Sequence, residues 1–529
     1  MGGFSLIHGF ILSLPTTMIL FLATLSLFFF FFFMKPKPSA SSRLPPSPGP
    51  SLPFIGHLHY LLRLPLHRSL SRLAVSHSPV LLLRLGSRSA LLVSSASAAD
   101  ECFTKNDFTF ANRPMLPSSR RLSYNFTTLV AAPYGSHWRN LRRLIAVEAF
   151  SSARLNSSPV VNEEVRALLR DLAGGGSNFR KVEVRSQLED LAFNVVMRMT
   201  VGKKYFGGRE EIATGDEGRR FQRVVKEGFE LAKESSVGDF LPILQWIGGR
   251  RMEERMERLE READGLFQVV VEERRKERRR RVMSSAAGAG EMESGVDRRT
   301  IVDRLLELQE VDGECYTDEI IKGVILTMIA AGTDTVSQTM EWAMALLLNH
   351  PQVLEKATAE IDEHVGHQRV LEESDLPRLP YLNAVLRETL RLYPAAPLLL
   401  PHESSGDSTV GGFFVPAGTI IFVNAYHIQR DPEVWPEPAS FRPERFGGGE
   451  KKMATMAFGM GRRCCPGEGL AMRVVGAAVG GMVQCLEWRR EGEGEVDMEE
   501  GAGMTMPKKK PLLAVCGARS AMADALSKL

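Results

Sequence analysis

Phe458-Gly-Met-Gly-Arg-Arg-Cys-Cys-Pro-Gly467 is the stretch on which the reading of this chain turns. Glycines at 459, 461 and 467 let a backbone fold closely over a flat object. Arg463 offers a permanently charged guanidinium to an anionic group, and Cys465 offers a thiolate to a metal. Cys102, Cys315, Cys464, Cys485 and Cys516 are scattered, giving neither a disulfide framework nor a zinc spacing. Adjacent Cys464 and Cys465 are poorly placed to chelate one ion, and a reducing location is expected.

Upstream of this loop, Asp318 to Asn349 is the longest helical pattern and is closed by Pro351. At 1.5 Å per residue it would run on the order of 48 Å. Inside it lies Ala331-Gly-Thr-Asp-Thr335. Glycine costs a helix interior about 1 kcal/mol relative to alanine, and Asp and Thr can bond their own backbone. A local bulge with room for a small ligand is expected there. Leu379-Pro380 opens a further helix through Leu392, with Glu388 and Arg391 at i,i+3 on one face. Ser136 to Ala146 reads as a helix carrying Trp138 and Arg142 one turn apart. Val410 to Val423 reads as two short strands turning at Pro416–Gly418.

Arg251 to Val271 has opposite charges at helical spacing, as a surface helix would. It runs into the basic stretch Arg274–Arg281 and a Ser/Ala/Gly loop near Ser284–Gly290. A nuclear signal is one reading of that run; a solvated helix end before a loop is the preferred one.

The N-terminus is different in kind. From Phe4 to Met34 no side chain is charged, and Ile11 to Phe33 is nearly all apolar, enough to span a bilayer as a helix. Lys35, Lys37 and Arg43 follow, which by the positive-inside bias puts the rest in the cytosol. A cleaved signal peptide is the rival, weakened by the missing basic n-region. Leu44-Pro-Pro-Ser-Pro-Gly-Pro-Ser-Leu-Pro53 then makes a stiff connector. Expected units are an anchor at 1–34, a proline-rich hinge at 35–53, a body at 54–516 and a disordered tail at 517–529. Over the 529 residues, 66 Lys+Arg against 63 Asp+Glu leave a formal +3, so nothing argues for a nucleic-acid partner.

The loop fills every position of F-x-x-G-x-R-x-C-x-G, and so resembles the haem-binding loop of the cytochrome P450 superfamily. The register of that motif implies Cys465 as axial iron ligand and Cys464 as filler. A thiolate ligand pushes electron density onto iron and favours O–O cleavage. Ala331–Thr335 resembles the family's oxygen groove, which implies that Thr335 orients water and oxygen while Asp334 relays protons. Val336 stands before Ser337, where relatives often have Ser or Thr. The same likeness makes Glu388, Arg391 and Arg445, in Phe441-Arg-Pro-Glu-Arg-Phe446, a buried ionic triad. It implies contact of Trp138, Arg142, His402, Phe458 and Arg463 with haem, through its propionates for Trp138, Arg142 and His402.

What the resemblance implies overall is a mainly α fold with a minor β region: a single large haem domain behind an N-terminal transmembrane helix. It implies heme b (iron protoporphyrin IX) as cofactor. NADPH is used through a partner reductase and is not bound here, since no dinucleotide fingerprint follows a strand. NADPH-cytochrome P450 reductase, cytochrome b5, membrane lipid and a small-molecule substrate are the expected partners, at the endoplasmic reticulum membrane. Arg139 and Arg143 are expected to help dock the acidic electron donor. Glu388 to Ser405 with Gly411–Thr419 is similar to the plant group that includes the isoflavone hydroxylases, whose members oxidise flavonoids, indolic compounds, lignans and some herbicides. Two other readings compete: a haem-thiolate isomerase or dehydratase independent of oxygen, and a membrane-tethered protein without enzymatic activity.

Overall fold

The computed structural model describes residues 18, 20, 24, 43–49, 51–174, 178–207, 211–286, 299–447 and 456–529. Apart from three isolated positions, the expected anchor at Phe4–Met34 lies outside the described residues. Helix predominates among the described residues, so the mainly α expectation holds.

The long apolar pattern at Asp318–Asn349 is not a membrane span but the central helix of the body, mostly buried. Thr317 caps it by accepting from the Ile320 amide at 3.4 Å, with Asp318 and Glu319 favourable in the first turn. It is two helices end to end. Asp318–Gly332 stops, Thr333 bends with φ −92° and ψ −68°, and Asp334–Asn349 continues. The sequence defect at Gly332–Thr335 is where the axis breaks.

The C-terminal half of this helix packs with Pro380–Leu392, Glu468–Cys485 and Val184–Val201, and Val160–Ala173 packs on the last two. Together they bury the largest apolar cluster, including Leu188, Met340, Leu386, Val479 and Met482. A second cluster forms over the N-terminal half, from Ser136–Glu148, Glu211–Phe240, Pro242–Ala286 and Ile301–Val311. The space between the two halves is where a ligand can sit.

The β part is a four-stranded sheet with order β1 (Val80–Leu85), β2 (Arg88–Val93), β7 (Ile420–Val423), β4 (His402–Glu403). The β2–β7 pair is parallel, with Ala90 opposite Ile420, and the others are antiparallel. A second sheet joins β3 (Arg180–Glu183), β9 (Leu513–Ala518) and β8 (Leu486–Arg490).

Three expectations need correction. Val410–Val423 does hold two short strands on either side of Pro416–Gly418, Phe413–Val415 and Ile420–Val423, but they lie in different sheets and do not pair. The hairpin is β5 (Ser408–Val410) with β6 (Phe413–Val415), and it turns at Gly411 and Gly412, with φ of 56° and 77°. Consecutive positive φ values match the twist of a two-residue hairpin, which Pro416–Gly418 cannot supply. Pro416–Gly418 instead carries the chain across to β7 in the other sheet. The tail at 517–529 is not disordered: Ala523–Leu526 is helical, and Met522 and Ala525 are buried against the large cluster. The apolar Met522, Ala525 and Leu526 are reason enough. Finally, Arg274–Arg281 is not a merely solvated helix end. Arg274 pairs with Asp303, Arg275 with Asp318 and Arg278 with Glu310, tying the Pro242–Ala286 helix to its neighbours. The loop beyond it is in part, at 287–298, outside the described residues.

Candidate active site

A cavity of about 530 Å³ opens between the two halves of the body, with walls that are mostly apolar. Its floor is the cysteine loop. Phe458 ends a short turn, Gly459 and Gly461 take φ of 70° and 67°, and the Cys465 amide donates back to the Phe458 carbonyl at 2.8 Å. Gly461 has no substitute: a Cβ there would lie 2.4 Å from the Asp107 carboxylate and 2.9 Å from the Phe103 carbonyl. The chain then turns through Pro466–Gly467 into the Glu468–Cys485 helix, so Cys465 stands just before a helix N-terminus.

Cys465 lines the cavity and is open to it, while the protein packed around the loop desolvates the thiol. Burial pushes its pKa up from 9.0, opposed by the Gly467 amide and by Arg142. A thiol so placed stays protonated at neutral pH until a metal ion replaces the proton. Cys464 does not line the cavity. Its sulfur receives Arg142 Nη2 at 3.5 Å.

The opposite wall is the break in the central helix. Ala331, Gly332 and Thr335 line the cavity, and the Thr335 hydroxyl donates to the Ala331 carbonyl at 2.6 Å. Gly332 is required by packing: a Cβ would fall 2.7 Å from Val196 Cγ2 on the Val184–Val201 helix. Asp334 points away from the cavity lining, and burial raises its pKa, with Lys226 opposing. The Thr333 hydroxyl is buried without a partner.

Around one side of the cavity stand Arg113, Arg142, Arg463 and His402. Among the described residues none of them forms an ion pair. Arg463 lies 4.3 Å from the Trp138 ring centre and donates to the carbonyls of Ala111 (2.7 Å) and Ala132 (2.6 Å). Arg113 donates through Nη1 to Leu400 and Pro401, while its Nε is buried with no partner. Burial and mutual repulsion pull Arg113 down to about 9 and Arg463 down to about 10, which still leaves both cationic at neutral pH. His402 bonds the Phe110 carbonyl through Nδ1 at 2.6 Å, and burial beside Arg113 and Arg463 holds it well below 6.5. Such a ring of uncompensated cations calls for an anionic group. A flat molecule with an iron ligand site on one face and carboxylates at one edge fits the donor set.

The Trp138 indole N–H is committed to the Leu129 carbonyl at 3.1 Å, so its ring face, not its N–H, serves the site. Arg113 is the residue that sequence reasoning passed over. It sits in Phe110-Ala-Asn-Arg-Pro114, and its signal was an arginine locked before a proline.

Behind the loop, Glu388, Arg391 and Arg445 meet. Arg391 binds both Glu388 oxygens at 2.7 and 2.8 Å, and Arg445 reaches Glu388 Oε1 at 3.2 Å. Arg391 also donates to the carbonyls of Gln429 and Pro438, each at 2.8 Å. Gln429 accepts in turn from the Met456 amide at 2.7 Å, connecting the triad to the start of the cysteine loop.

Comparison with known proteins agrees with this geometry. The family model described as Cytochrome P450 matches residues 45–515. Cytochrome P450 81Q32 of Catharanthus roseus is 49% identical over 92% of this chain and 93% of its own length. An isoflavone 3'-hydroxylase of Medicago truncatula is 44% identical over 90% and 92%. A (+)-piperitol/(+)-sesamin synthase of Sesamum radiatum is 44% identical over 91% and 92%. A zebra fish cytochrome P450 solved with abiraterone superposes with a TM-score of 0.72 at 26% identity, covering 87% of this chain and all of that one. With a cysteine loop, a broken helix opposite it and matches over nearly the whole length, the chain belongs to the cytochrome P450 family and is a heme b monooxygenase.

Proposed function

We propose that this chain inserts one oxygen atom from O2 into a small, flat, largely apolar plant metabolite of the flavonoid, isoflavonoid, indolic or lignan type. The observation that carries the reading is the cavity between Cys465 and Thr335, whose apolar walls suit an aromatic skeleton. Relatives named for isoflavone hydroxylation and for piperitol/sesamin synthesis support the class of substrate. The same walls would admit apolar xenobiotics.

When bound, heme b would supply oxygen activation, and Cys465 is the residue that would hold its iron. The protein's own residues do the rest. Arg113, Arg142 and Arg463 would hold the cofactor's carboxylates, with His402 and Phe458 also placed to contact it. Thr335 offers a hydroxyl oxygen at the mouth of the helix break. Asp334, one residue away and with its pKa raised by burial, is placed to relay protons along that break. Glu388, Arg391 and Arg445 keep the cysteine loop in place.

Electrons come from NADPH through NADPH-cytochrome P450 reductase, with cytochrome b5 as a second donor. Arg139 and Arg143 are exposed on the helix whose Arg142 touches the cysteine loop, and they form the basic patch for an acidic donor. The Phe4–Met34 segment anchors the chain in the endoplasmic reticulum membrane as a single pass, with the body in the cytosol. The test is a thiolate-type carbon monoxide spectrum of the reduced protein, followed by substrate difference spectra over phenolics and indoles. Turnover of the ligand so found must require both NADPH and reductase. Absence of the spectrum removes the monooxygenase reading; turnover without reductase favours an isomerase.

A further inference from the structure

The cavity wall is short of free hydrogen-bond donors. The hydroxyls of Thr327, Thr335 and Thr339 each donate to a carbonyl four residues back on their own helix, at 2.8, 2.6 and 2.7 Å. Ser123 donates to Ser119 O at 2.5 Å, and Tyr124 to Asp264 at 3.3 Å. These groups retain lone pairs for a ligand but no proton.

Thr505 differs. Its oxygen accepts from Nε2 of buried Gln338 at 3.1 Å, which leaves its own proton uncommitted on the cavity wall. As the amide stands, its N–H faces Thr505 and its carbonyl oxygen has no partner among the described residues.

The backbone around Thr505 is also fixed. It sits in a turn closed by a Glu500–Lys508 bridge and by Gly501 N to Pro507 O at 2.7 Å. The next residue, Met506, has its N–H on Ala395 O at 3.0 Å and its carbonyl on the Trp342 indole at 2.8 Å. Ser119 and Thr128 also line the wall with a free proton, but no side-chain amide stands behind them.

We propose that Thr505 is the specificity-determining donor of this cavity. Its hydroxyl, oriented by Gln338, hydrogen-bonds a carbonyl or ether oxygen of the substrate and so sets which carbon faces the Cys465 side. This rests on the monooxygenase reading above and adds to it that the substrate carries an acceptor oxygen.

The test uses the purified holoenzyme and two probes that differ only there: an isoflavanone, and the isoflavan in which the ring carbonyl is a methylene. Dissociation constants are measured by equilibrium dialysis, without turnover. The wild type should bind the isoflavanone about tenfold tighter, the scale of one hydrogen bond in a desolvated site. Thr505→Val should abolish that preference, and Thr505→Ser should keep it. Equal affinity for the two probes, no binding of either, or a preference that survives Thr505→Val overturns the proposal. The carbon monoxide spectrum of the same preparation separates this failure from that of the parent reading, because a normal spectrum with no preference condemns Thr505 alone.

Discussion

Arg391 grips Glu388 through two hydrogen bonds of 2.7 and 2.8 Å, and both side chains are completely out of contact with water. A surface i,i+3 pair would contribute a few tenths of a kcal/mol. This one is a different object, because removing either member strands a charge in the interior. Glu388→Ala would leave Arg391 and Arg445 facing each other unpaired, at a cost of about 3–5 kcal/mol. Chemical unfolding of the variant should show that loss, together with faster haem release, since Gln429 connects the triad to Met456.

Two adjacent cysteines should behave as opposites. Cys465→Ser should eliminate the thiolate-type spectrum and turnover, whereas Cys464→Ser should preserve both. In the haem-free protein the raised Cys465 pKa makes the native state hold its proton more tightly than the unfolded chain does. Stability of that form should therefore be unaffected well below pH 9 and should fall as pH rises through and beyond the thiol's ordinary value of 9.0. Alkylation of Cys465 in the same form should speed up only at the alkaline end.

Removing Arg113 should move two quantities in opposite directions. Without cofactor, Arg113 is one of several neighbouring cations with no acid to balance them. Arg113→Leu should leave the haem-free chain as stable as the wild type or more so, while haem affinity drops about tenfold or more, as expected from a lost charge-assisted hydrogen bond. Thermal unfolding with and without haem reads both effects.

Thr335→Val should leave folding and substrate binding intact, because its hydroxyl serves only the Ala331 carbonyl and the cavity. Product formation per NADPH consumed should fall by about tenfold or more, with peroxide appearing in its place. Gly332→Ala should act differently, through structure: its Cβ meets Val196 at 2.7 Å, so about 1–3 kcal/mol of stability should be lost.

Charge reversal at the exposed helix face tests electron supply. Arg139→Glu with Arg143→Glu should slow reductase-supported turnover several-fold, and the deficit should shrink at high salt, where the wild type loses its own steering advantage. Turnover driven by a synthetic oxygen-atom donor should stay unchanged.

Some of this molecule could be read from local pattern. The Pro380 and Ser136 helices carry strong 3.6-residue periodicity and Asp318–Asn349 is a long apolar run closed by a proline, and each forms as read. The Gly332–Thr335 defect marks the break because poor helix formers in succession weaken a helix wherever it lies. Errors arose where partners are distant in sequence. Gly411–Gly412 and Pro416–Gly418 are both turn signals, and only pairing of Ile420–Val423 with Arg88–Val93 decides between them. Met522 and Ala525 look like a fraying end until the large cluster is seen to cover them.

Sequence alone singled out Cys465 as the candidate iron ligand, since a fixed spacing of glycines, arginine and cysteine within ten residues needs no tertiary partner to be recognised. Tertiary structure decided how charge and hydrogen bonds are shared around it. That Arg113 joins Arg463 and His402, that Trp138 spends its N–H on Leu129, and that Gln338 stands behind Thr505 are facts about segments far apart in the chain. Burial energies depend on what surrounds a group in space, and no local pattern carries that information.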